Sequence, residues 1–161
     1  MPTAIINDPS QAAGQPIDIS GAVTFRGAKA AGITANRGDI AVKDTGTTPD
    51  SYKVNAPGAA IPGPFYIVTQ AALSAETRIS LAAGGLWLVI GDDAIEPGDQ
   101  VMLSTTTAGH VMKSTAVTTV ALGEAVVGVS MGFADTYGTG AATASVAGDL
   151  LVIDLDGGNR G

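Results

Sequence analysis

The chain has 161 residues, no cysteine and a formal net charge of −7. These totals exclude disulfide staples and thiolate chemistry, and Lys and Arg scattered singly argue against a nucleic-acid partner, whose phosphates are held by clustered cations. No apolar run approaches the ~20 residues of a membrane span, and the first residues have neither the basic nor the apolar region of a secretion signal, so no membrane partner and synthesis in a cytoplasm are expected.

Apolar residues make up 45% of the chain, yet aromatics only 4% and charged residues 14%. The charged share is well under the roughly 25% of an ordinary soluble domain. A surface built from hydroxyl, amide and small apolar groups suits lasting association with other protein. The length suffices for one domain with a real core.

In chain order, residues 1–35 are interrupted everywhere, by Pro2, Pro9, Gly14, Pro16, Gly21, Gly27 and Gly32. Only residues 17–19 and 22–25 have strand character. So few apolar groups offset ordering entropy poorly. An extended or flexible N-terminal arm is therefore expected over 1–35, with Ile5, Ile6, Ile17, Ile19 and Phe25 as the anchors it would place on a partner.

Residues 36–161 read as a β-rich core domain. Gly38-Asp39 opens a strand through Lys43. A short strand at 52–54 and a Pro/Gly loop at 55–64 precede Phe-Tyr-Ile-Val-Thr at 65–69, which has high β propensity. Residues 70–76 are consistent with one helical turn. Residues 77–81 alternate, Ile79 and Leu81 on one face, and Ala83-Gly84-Gly85 suggests a hairpin into the next strand.

The organising stretch is 86–103. Residues 86–90, Leu-Trp-Leu-Val-Ile, form an apolar run that suits a strand covered on both faces. Glu96-Pro97-Gly98-Asp99 is a tight turn, since proline pre-sets φ at its first central position and glycine takes positive φ at its second. Val101 and Leu103 then alternate with polar neighbours. A short strand follows at 109–113, and residues 117–122 lead into an alternating segment at 123–131. In that segment Ala125, Val127, Val129 and Met131 share a face, and Gly128 marks a bulge or a close backbone approach. After a Gly/Ala/Thr loop at 132–147, Gly148-Asp149 opens a final strand with Leu151, Ile153 and Leu155 inward. Three strands launched by one Gly-Asp turn predict an all-β fold, a small β-barrel or sandwich of short strands.

The inventory for chemistry is thin. The single histidine, His110, follows a turn glycine and has no nucleophile-elbow motif to pair with. A zinc site lacks ligands. Residues 154–159 resemble the opening of a calcium loop without its closing glutamate, and Asp92-Asp93 reads as turn chemistry. Arg37-Gly38-Asp39 spells an adhesion tripeptide, but Gly38-Asp39 already serves as a strand opener. Gly138-Thr139-Gly140 lacks the lysine and helix of a phosphate loop. No catalytic, cofactor or metal residue is assigned, and a non-enzymatic protein is expected.

The order of motifs carries a resemblance. Gly38-Asp39, Gly84-Gly85, Ile95-Glu96-Pro97-Gly98-Asp99-Gln100-Val101, Gly109-His110-Val111, Gly123-Glu124-Ala125-Val126-Val127-Gly128-Val129 and Gly148-Asp149 succeed one another. From Asn36 to Asp156 this resembles the head decoration, or capsid cement, proteins of tailed phages. The resemblance implies a virion protein made in a host cytoplasm and placed on the outer surface of the head. There it would clamp neighbouring major capsid proteins and stabilise the capsid, often as a homotrimer. The long N-terminal region departs from the simplest members. The alternative is a phage tail or spike component, or a surface carbohydrate-binding β module, the latter expected to expose aromatic side chains.

Overall fold

The structure, a computed structural model, describes residues 11–44, 50–54, 64–114, 126–137, 139 and 144–155. Its first feature is a repeated turn. Ala12–Gln15, Asn36–Asp39, Glu96–Asp99 and Val146–Asp149 are all closed by a backbone bond from the fourth N–H to the first carbonyl, at 3.1–3.2 Å. In each, the fourth side chain reaches back to accept the first residue's N–H at 2.8–2.9 Å. The third residue is a glycine at φ between +79° and +94°, a region that costs other residues steric strain. One short polar side chain thus satisfies a turn donor that no sheet would pair.

A strand begins immediately after each turn: β1 (Pro16–Asp18), β3 (Ile40–Lys43), β8 (Gln100–Leu103) and β11 (Leu150–Asp154). The others are β2 (Val23–Lys29), β4 (Ser51–Val54), β5 (Phe65–Gln70), β6 (Arg78–Ala83), β7 (Leu86–Ile90), β9 (Val111–Lys113) and β10 (Val126–Phe133). They form two sheets. One has six strands in the order β1-β7-β11-β10-β8-β9, and the other closes on itself as the ring β2-β4-β3-β5-β6. The ring shuts where Ala28 and Lys29 pair in parallel with Ser51 and Tyr52. The fold is all-β and sandwich-like, as expected.

Alternation divides the ring's side chains between two cores. Ile40, Val42, Phe65 and Ile67 point outward onto Trp87, Val89, Leu151 and Ile153 of the six-stranded sheet. Ala41, Val68, Ile79 and Leu81 point into the ring, where Phe25, Tyr52 and Tyr66 join them. Those three rings pack edge to face with centroids 5.3–5.6 Å apart, the geometry their quadrupoles favour. A third cluster covers the far face of the six-stranded sheet, with Leu88 and Val152 under Ala134 of a short 3-10 helix, Ala134–Thr136. Each fully buried Leu or Ile stabilises the fold by roughly 1.5–3 kcal/mol. β7 is therefore covered on both faces, and its unbroken apolar run follows from that.

Four expectations are corrected. Within the expected 1–35 arm, the described residues 16–18 and 23–28 do not stand apart, because β1 pairs with β7 and β2 with β6. Phe25 supplies apolar burial inside the ring that its own neighbours in sequence do not. The Gly84-Gly85 turn does not make a hairpin. Its residues, at φ +75° and +86°, turn the chain out of the ring and into the other sheet. Residues 70–76 hold no helical turn: Gln70 ends β5, Ala72 bridges Ala35, and Glu76 closes a turn on Leu73. The even alternation expected along 125–131 is broken by bulges between Val126 and Gly128 and between Ser130 and Gly132. Gly128 meets both halves of its expectation, since a Cβ there would run into the Asp154 carbonyl oxygen. The stretch at 117–122 that leads into this segment lies outside the described residues.

Candidate functional site

Among the expected anchors, Ile5 and Ile6 lie outside the described residues. Ile17 is half-buried against the cluster around Leu88 and Val152. Phe25 is half-buried in the ring. Ile19 alone faces outward, 62% exposed, on the turn between β1 and β2. The structure therefore does not bring the described anchors together on one surface. Val23 (63%) and Val146 (64%) are equally exposed, and the sequence reading missed both. For Val23 the sequence held no signal: alternation places it in register with the inward set Phe25, Gly27 and Lys29, and it is exposed only because it stands at the open head of β2.

Polar chemistry gathers around His110. Its Nδ1 lies 2.7 Å from Asp92 Oδ1, and the Ser104 hydroxyl donates to Asp92 Oδ2 at 2.5 Å. Ser104 Oγ in turn accepts the N–H groups of Thr106 and Thr107. Serine, histidine and aspartate thus meet, but in the wrong order for nucleophilic catalysis. The hydroxyl proton goes to the carboxylate and not to the imidazole, so no base activates the oxygen. The network ties the β8–β9 turn to the β7–β8 loop. Asp92 feels burial, which raises its pKa, but hydrogen bonds from Ser104 and His110, with the histidine's charge and Thr107, hold it below the usual carboxylate range.

Asp39 stands beside this knot, with Gly109 packed on its carboxylate. It is only 7% exposed, and burial raises its pKa against the lowering effect of the Asn36 N–H and His110. Because that carboxylate is buried and spent on its own turn, the Arg37-Gly38-Asp39 tripeptide presents no free acid to an adhesion receptor. Lys29 is also buried, at 6% exposure. Its ammonium donates to the carbonyls of Ala30, Ile33 and Ser74 at 3.1, 2.5 and 3.3 Å, a clasp for the end of the ring.

Among the described residues no group of three or more His, Cys, Asp or Glu could hold a metal ion, and no helix is long and apolar enough to cross a membrane. All three Phe, all three Tyr and the one Trp are described, and none is exposed. Trp87 is core, its Nε1 donating to the Gly84 carbonyl at 2.6 Å. What the molecule offers outward is surface: apolar tips at Ile19, Val23 and Val146, and polar loops at strand ends.

A solved structure shares this architecture. The N base of head fiber gp8.5 of bacteriophage phi29 superposes with a TM-score of 0.54 over 83% of this chain and 93% of its own, at 14% sequence identity. The fold is similar to that of a phage head-fiber base. No family model matches the chain, and no curated protein matches it in sequence. The likeness to the fiber base thus lies in the fold rather than in the sequence.

Proposed function

We propose that the protein is a non-enzymatic structural component of a phage head that binds the outer surface of the capsid and stabilises it by clamping neighbouring major capsid proteins. The fold likeness to a head-fiber base carries this reading. A clamp requires a rigid body and adherent surface, and the shared core provides the first while exposed Ile19, Val23 and Val146 contribute to the second. The low charge content is compatible with burial against other subunits. The working form is a homotrimer, whose repeated weak contacts add up on a lattice. A glycan-binding role draws no support from the aromatics, since none offers an exposed stacking face.

The test is co-sedimentation of purified protein with empty heads of the cognate phage, with light scattering to give its mass in solution. Protein that pellets with heads in a saturable manner, and heads that then withstand more heat or chelator, meet the expectation. Protein that stays in the supernatant at every ratio overturns it.

A further inference from the structure

Charge is divided unequally between the two sheets. Residues 86–161, which build nearly all of the six-stranded sheet, hold nine acidic and two basic side chains, whereas residues 11–85 hold five acidic and six basic ones. Among the described residues, 86–155 carry seven acidic side chains and one basic one, so the acidic charge there gathers on the side of the six-stranded sheet. On the ring, Arg26 and Arg78 lie side by side on the outer face of β2 and β6, Arg78 Nη2 donating to the Arg26 carbonyl at 3.2 Å. Both are exposed, and neither is in an ion pair among the described residues. Exposed Val23 begins the same strand, and Ile19 the turn before it.

On the six-stranded sheet two loops are zipped together. Gly148 N–H donates to the Gly91 carbonyl at 2.8 Å, Gly91 N–H to Asp149 at 3.0 Å, and the Ser145 hydroxyl to the Asp93 carbonyl at 3.0 Å. This gathers Asp93, Glu96 and Asp149 around exposed Val146. Lys113 offsets only part of that charge, being bound to Asp99 at 3.0 Å. One surface carries two unpaired arginines, and the other is acidic around an exposed valine.

We infer that the two surfaces are partners: the Arg26/Arg78 face of one copy docks on the Asp93/Glu96/Asp149 loops of the next, head to tail. Two different patches of one molecule make a heterologous contact, which generates a ring when the rotation closes. Complementary charge sets its register and rate of encounter, and exposed Val146 adds apolar contact area on the acidic side. The inference gives a geometry to the trimer proposed above and does not depend on capsid binding, which the sedimentation assay tests separately.

The experiment is light scattering on the full chain at low salt and at about 1 M salt, where screening shortens to ~3 Å. Four proteins are compared: wild type, Arg26→Glu with Arg78→Glu, Asp93→Lys with Glu96→Lys, and a chain bearing all four changes. Trp87 fluorescence and circular dichroism check that each is folded. The expected result is an oligomer for wild type that dissociates in salt, threefold lighter monomers for either double variant, and recovery of the oligomer in the fourfold variant. A wild type that is monomeric at low salt overturns the inference. So does an oligomer that survives both double variants, or one that the fourfold variant does not restore.

Discussion

Three carboxylates show how one residue type is put to different uses by its surroundings. Asp92 is held below the usual carboxylate range, so its contribution to stability is complete above the ordinary pKa of about 3.9 and is lost as pH falls through its lower folded-state value. Asp92→Asn is expected to cost about 1–3 kcal/mol at neutral pH, through the weakened bonds to Ser104 and His110. It should also flatten the acid limb of urea midpoints plotted below about pH 4. Asp39 has the opposite sign. Its folded-state pKa is raised, so ionisation works against folding at neutral pH and that cost fades as the solution becomes acid. Asp39→Asn keeps an acceptor for the Asn36 N–H and is expected to raise the neutral midpoint, with no gain below about pH 4. Asp39→Ala removes the acceptor and should lower the neutral midpoint instead. Asp99, the third, caps its turn and binds Lys113 at the rim.

Among elements, the glycines separate two kinds of constraint. Gly98 sits at φ +90° with no neighbour near its missing Cβ, so Gly98→Ala carries only backbone strain, about 1–2 kcal/mol. Gly128 has no such φ, but its Cβ would overlap the Asp154 carbonyl across the β10–β11 ladder. Gly128→Ala is expected to cost more, about 1–3 kcal/mol with the sheet displaced, and hydrogen exchange should rise in β10 and β11 only for this variant. Local chemistry of this kind was legible in the sequence. Gly-Asp openers at 38, 98 and 148, the doubly covered run 86–90 and the inward set Leu151, Ile153, Leu155 all stand as expected. The fourth opener, Gly14-Gln15, was missed because an amide does the work of the carboxylate. Pairing between distant strands was not legible: nothing near Phe25 announces that Leu81 lies across from it, or that Gly84-Gly85 changes sheets. The outward surfaces were least legible, since exposure of Val23 and Val146 depends on which neighbours the fold leaves out.

At the scale of the whole molecule, the core between ring and sheet draws on both, so neither should melt alone. Trp87 fluorescence reports the sheet and near-ultraviolet tyrosine dichroism reports Tyr52 and Tyr66 in the ring. Their denaturation midpoints are expected to coincide, and two separated transitions would show independent domains. Removing residues 1–10 leaves every described strand in place, and a melting temperature that holds while head binding falls would assign the contact to that segment, which contains the expected anchors Ile5 and Ile6. Removing residues 1–35 takes away β1, β2 and Phe25, and the expected product is unfolded.

The sheet order has a consequence for how such a molecule is made. β11, the last of the described strands, sits within its sheet between β7 and β10, and β1 waits for β7. On the ribosome the ring β2–β6 has all its pairing partners once residue 83 has emerged, but the other sheet does not, and a nascent chain halted short of β11 has only fragments of that sheet. Prematurely terminated products would therefore expose raw strand edges to the cell's proteases instead of competing for places on a particle. Assembly would draw on finished molecules because unfinished ones never acquire the surfaces to join it.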